Sequence, residues 1–160
     1  MIRRAAWLSA VLTVYLGAVT GLGAEPYQVG DVFQPPPGSD QHGKAFDVKL
    51  GDFRAVLFDT PGEGGDAEPP KDPQWFDKNR ALLLVNISGF SGFKRRIARG
   101  RMESKPFRML VVEDADAAAR FPRQKGKFTV LRLDDKGAIT QIQYAAPGKE
   151  LQDLFAPDAR

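Results

Sequence analysis

The stretch "AVLFDTPGEGGDAEPP", residues 55–70, decides the fold reading. Ala55, Val56, Leu57 and Phe58 make an apolar run with little alternation, the pattern of a strand covered on both faces. The run breaks into a Gly- and Pro-rich loop from Thr60 to about Lys71. Asp72 and Pro73 then read as a helix start, with Asp72 as N-cap and Pro73 at the first helical position. Strand, loop and helix in this order open an α/β unit, and such a loop is where α/β proteins usually hold their chemistry.

Working outward, "ALLLVNI" (81–87) and "FRMLVVE" (107–113) are further buried strands. Between them "SGFSGFKRRIARGRM" reads as a helix, and the i, i+3, i+7 spacing of Phe90, Phe93 and Ile97 predicts that these three share its inward face. "DADAAARF" (114–121) is an acid-capped helix of about two turns. "KFTVLRLDDKGAITQIQY" is a hairpin around Asp135-Lys136-Gly137, and "GKELQDLF" a closing helix with Leu151, Leu154 and Phe155 inward. Toward the N-terminus, residues 25–52 are extended and turn-rich. There Pro35-Pro36-Pro37-Gly38 is a rigid spacer, Gly43 a turn residue with positive φ, and Phe46, Val48 and Leu50 an alternating strand. The layout is α/β with a mixed central sheet flanked by helices, after an N-terminal extended segment.

Residues 1–24 stand apart. Arg3 and Arg4 precede an uncharged, apolar run from Ala5 through Ala24 that ends in Leu22-Gly23-Ala24. This is the layout of a secretory signal peptide cleaved after Ala24, leaving one domain over residues 25–160. The expected location is the periplasm or the extracellular space. The alternative is an uncleaved anchor, since the run is just long enough to span a bilayer, and it would make the chain a membrane-tethered domain. A twin-arginine signal fits Ala5-Ala6-Trp7 poorly. Removing Arg3 and Arg4 lowers the net charge of +3 to about +1, so the charge balance gives no ground for nucleic-acid binding.

The 160-residue chain has no cysteine. That excludes thiol nucleophiles, disulfide exchange, thiolate metal sites and a lipidated cysteine at the cleavage site. A domain of this size holds together without disulfides.

In their order, "VGDVF" (29–33), "DQHGKAFDV" (40–48), "RAVLFDT" (54–60), "PFRMLVVEDADAAARF" (106–121) and the hairpin "GKFTVLRLDDKGAITQIQY" resemble the thioredoxin-like redoxins, the group holding peroxiredoxins and exported thiol-disulfide oxidoreductases. The resemblance spans nearly all of residues 29–155 and implies a thioredoxin-like fold. Two departures go with it. Where the family has Cys-x-x-Cys or a peroxidatic cysteine, this chain has "TPGEGGDAEPP". Where the family has a cis-proline before the hairpin strand, it has Phe128, followed by Thr129. No catalytic role carries over.

In the opening loop Glu63, Asp66 and Glu68 repel phosphate, no Lys stands at the phosphate-loop position, and the spacing matches no EF-hand. Ser91 lies between strand and helix, but Phe93 stands where a nucleophile elbow needs Gly. It and Ser88 read as N-cap candidates. His42 is the only histidine and makes no metal cluster; Asn86 heads a glycosylation sequon on a buried strand. The basic run of Lys94, Arg95, Arg96, Arg99, Arg101 and Lys105 against the single Glu103 is the most marked surface feature, either a solvated helix face or a seat for an acidic partner or an anionic membrane surface.

The expectation is a redox-inert exported domain that binds a partner protein or serves assembly in the cell envelope, without cofactor, metal or nucleic acid. Its candidate surfaces are the old active-site face (Thr60, Glu63, Asp66, Phe128, Thr129), with Phe128 filling the groove, and the basic helix. The rival expectation is a carboxylate- or metal-dependent enzyme using Asp59, Glu63 and Asp66.

Overall fold

A computed structural model describes residues 24–62 and 69–156. The elements in chain order are strands β1 (Ser39–Asp40) and β2 (Ala55–Asp59), helix α1 (Pro73–Lys78), β3 (Ala81–Asn86), α2 (Gly92–Glu103), β4 (Met109–Val112), α3 (Ala115–Ala119), β5 (Phe128–Leu133), β6 (Ile139–Ala145) and α4 (Lys149–Phe155). Among the described residues the strands form one six-stranded sheet in the order β1-β4-β3-β2-β5-β6. β2, β3 and β4 run parallel, and β1, β5 and β6 pair antiparallel, so the sheet is mixed as expected.

Every residue of β2, β3 and β4 is buried, which is why their sequences read as continuous apolar runs. Alternation then divides the core into two layers. Ala55, Leu57, Leu83, Val85, Met109 and Val111 face a layer containing Phe76 of α1, Met102 of α2 and Leu151 of α4. Val56, Phe58, Leu82, Leu84, Leu110 and Val112 face Ala118 of α3, Phe121, and the N-terminal residues Tyr27 and Phe33. Local signals hold where a side chain closes the backbone. Asp72 accepts from the N–H of Gln74 with Pro73 beginning α1, and Asp114 accepts from the N–H of Ala117 to start α3. Asp134 Oδ1 takes the N–H groups of Lys136 and Ala138 in the hairpin turn, where Gly137 has φ 82°.

Three expectations are corrected. Phe46, Val48 and Leu50 form no strand; Phe46 and Val48 lie partly buried on the second layer and Leu50 is exposed. The sheet edge there is taken by two-residue β1, anchored by the buried Gln41, whose side chain donates to Phe107 O and accepts from Met109 N. Helix α2 begins at Gly92, with N-cap Ser91 making no side-chain cap bond. Most important, Phe93 and Ile97 point outward, at 72% and 44% exposure. At 100° per residue Ala98 and Met102 lie roughly opposite Phe93, and these two meet the sheet. Arg95 and Arg99, beside them, converge on Glu113 at 4.0 and 2.8 Å. That ion pair, with the Ala98–Met102 ridge, sets the helix rotation.

The second layer is held by an aromatic cluster. Phe121 stacks on Phe58 with centroids 4.0 Å apart and meets Tyr27 edge-on at 5.2 Å. Phe121→Ala is therefore expected to cost about 3–5 kcal/mol in urea unfolding. A loss below about 1 kcal/mol would show that this layer does not depend on the cluster.

Candidate functional site: a cleft beside helix α2

β2 ends at Asp59, on the face of the sheet that carries α1 and α2. Its side chain is 8% exposed and has no cation within 4 Å among the described residues. Burial pushes the carboxyl up to about 7, and a hydrogen bond from the Thr60 backbone N–H opposes this only partly.

Asp59 opens onto a cleft of about 520 Å³. Its floor is apolar: Leu83 and Val85 of β3 and Met109 of β4. One wall is α2, through Ile97, Ala98 and Met102; Pro61, Gly62 and Pro69 stand on the other side. Lys94, Arg101 and Lys105 form the rim. None of these three cations has an acid within 4 Å among the described residues, unlike Arg95 and Arg99. A second groove of about 620 Å³ adjoins it across Phe90 and Lys94, reaching Thr60, Ser88 and α3.

The predicted site residues separate. Thr60 is half-buried and lines the second groove, and its Oγ1 accepts from Asn86 Nδ2 at 3.4 Å. Asn86 is buried, with its carbonyl engaged by the N–H and hydroxyl of Ser88, so the sequon is closed in the folded chain. Glu63 and Asp66 lie outside the described residues. The expected surface at Phe128 and Thr129 does not exist. Phe128 is 0% exposed, packed in the layer with Leu57 and Phe76, and Thr129 is 1% exposed with its hydroxyl donated to Pro122 O. Both begin a strand whose partner β2 is covered on both faces, so neither points to solvent. Of the basic helix, Arg95 and Arg99 serve structure, whereas Lys94 and Arg101 line the cleft and Arg96 faces solvent. His42 is exposed in its turn. Among the described residues no three His, Asp or Glu side chains come together as metal ligands. The sequence reading named Lys105 in the basic run but missed Ile97 and Met109 as lining. One sign was present: an acid ending a strand that is otherwise wholly apolar.

No family model matches the chain, and no curated protein shows significant sequence similarity to it. Solved structures do resemble it. A thio-disulfide isomerase from Thermus thermophilus is 19% identical, matching over 82% of this chain and 99% of that one with a TM-score of 0.52. Mycobacterium tuberculosis AhpC is 15% identical, over 81% and 95%, with a TM-score of 0.54. At these identities the likeness defines the fold, which is thioredoxin-like, as in the redoxins. With no cysteine, the chain has no thiol of its own for exchange or peroxide reduction.

The buried carboxyl makes folding pH-dependent. Unfolded, Asp59 ionises near 3.8; folded, it keeps its proton to about 7. The folded state binds more protons between these values, so its stability falls as pH rises through that window. Asp59→Asn removes this contribution. The variant is expected to be roughly 2–4 kcal/mol more stable than the native chain at pH 8, with the gap closing toward pH 4, in urea unfolding at each pH. Parallel stability curves for the two proteins would contradict the assignment.

Proposed function

We propose that this chain is a redox-inert binding domain of the cell envelope, exported by its N-terminal segment, which takes an acidic partner protein on the outer face of α2. The observation that carries the reading is the exposure of Phe93 and Ile97 beside Arg96, with Lys94 and Arg101 on the adjoining rim. Isolated apolar residues are ordinary on a surface, but an aromatic and a branched aliphatic set among arginines is the composition of a protein–protein contact. The uncharged run after Arg3 and Arg4 supports export. Those residues lie outside the described ones. No helix among the described residues is long and apolar enough to cross a membrane, so tethering would rest on the N-terminal segment. The N-terminal sequence of the exported protein distinguishes cleavage from anchoring.

The test is affinity capture from envelope extract with the native chain and with Phe93→Ser/Arg96→Glu as baits. A stoichiometric acidic partner is expected on the native bait at low salt, with most of it lost at moderate salt and on the variant. Equal recovery on both baits, or none on either, would contradict the reading.

Asp59 favours a second reading, in which a carboxyl held near neutrality performs acid–base chemistry in the cleft. Its metal-dependent form needs Glu63 and Asp66. A thermal-shift series with Mg²⁺, Ca²⁺, Mn²⁺ and Zn²⁺ tests that form. A saturable rise of several degrees supports it, and a flat response removes it.

A further inference from the structure

The cleft itself has a chemistry that the outer face of α2 does not use. The floor is apolar: the core residues Leu83 and Met109 lie beneath it, and exposed Ile97 and half-buried Phe90 offer apolar surface on its side. The volume, about 520 Å³, falls in the range of small-molecule sites. Its polar groups are unevenly placed. Arg101, in the last turn of α2, and Lys105, two residues past its end, lie on the rim, each without an acidic partner among the described residues, and Asp59 is also in the lining. Lys94 lies in the first turn of α2, and Arg101 is about 10 Å further along the helix. An anion set beside Arg101 and Lys105 thus has the apolar floor next to it.

We propose that this cleft binds an amphipathic monoanion, a single unbranched aliphatic chain with one carboxylate head. The head meets Arg101 and Lys105, and the chain lies along Ile97, Val85 and Leu83 toward Asp59. An acid without a chain lacks the apolar contact, and a chain with a cationic head meets the rim with the wrong sign. Burial of Asp59 supports the arrangement, because a carboxyl that keeps its proton near neutrality does not expel an apolar chain end. The cleft shares Ile97, Lys94 and Arg101 with the surface of the partner reading, but Phe93 and Arg96 do not line it, so Phe93→Ser/Arg96→Glu separates the two.

Isothermal titration of the full chain at pH 6.5 with decanoate, acetate and decyltrimethylammonium, each below its micelle concentration, tests it. Decanoate is expected to bind at one site with a submillimolar Kd, and each of the other two at least tenfold more weakly. Arg101→Glu/Lys105→Glu, both at exposed or half-buried positions, is expected to weaken decanoate at least tenfold; so is Ile97→Asp, which leaves both cations in place. Circular dichroism of each variant confirms its fold. Equal affinity for both head charges, affinity unchanged in both variants, or no saturable heat would overturn the proposal. So would binding of the acidic peptide acetyl-Glu-Leu-Glu-Leu-Glu-amide without binding of decanoate, which would make the cleft a protein partner's seat.

Discussion

The burial of β2, β3 and β4 on both faces governs the rest of the molecule. Three parallel strands with no solvated side need a full apolar layer above and below. Right-handed crossovers put α1 and α2 on one face, and α4 completes that layer. Among the described residues the other face has only short α3, so the N-terminal segment covers the remainder. It does so with Tyr27 and Phe33, although it holds little regular structure. Its attachments are polar and specific. Tyr27 N–H donates to Arg120 O at 2.7 Å, Tyr27 OH donates to Gln34 O at 3.0 Å, and the Arg120 guanidinium lies over the Tyr27 ring. Gly30 and Phe33 N–H groups donate to Ile139 and Gly137 carbonyls, tying the segment to the hairpin.

The same constraint makes Asp59 unusual. It occupies the last position of a strand whose every residue is buried, and no cation accompanies it among the described residues. An ionised carboxylate there is costly, so the group takes its proton instead. The loop that follows is the one that, in the redoxins the sequence resembles, leads to the cysteines, and this chain has no cysteine. This chain has a neutral-leaning carboxyl, an apolar cleft and a cationic rim in its place. Toward the end of β5, Arg132 shows the alternative treatment of a half-buried charge. Its guanidinium stacks on Phe155 and donates to Leu154 O at 2.6 Å, pinning α4.

Much of the fold was legible because its signals are local. Apolar runs marked the three parallel strands, Asp72-Pro73 and Asp114 marked helix starts, and the Asp134 to Gly137 turn marked the hairpin. The site was less legible because rotation and depth are tertiary facts. Phe93 and Ile97 carry the spacing of an inward face, yet Ala98 and Met102 turn inward once Arg95 and Arg99 pair with Glu113, fourteen or more residues away. Phe128 reads as the edge of a groove, yet the register Thr129 to Phe58 sets it in the centre of a layer. Lys105 and Met109 join the cleft only because β4 pairs with β3.

The central claim is that Asp59 is held out of water at the end of an apolar cleft. Titration of its side-chain carboxyl carbon by NMR, assigned by comparison with Asp59→Asn, tests it most directly. The account predicts a midpoint of about 7. A midpoint near 3.8, the ordinary value for an aspartate, would mean that water reaches the carboxyl freely and that the cleft is not the site described.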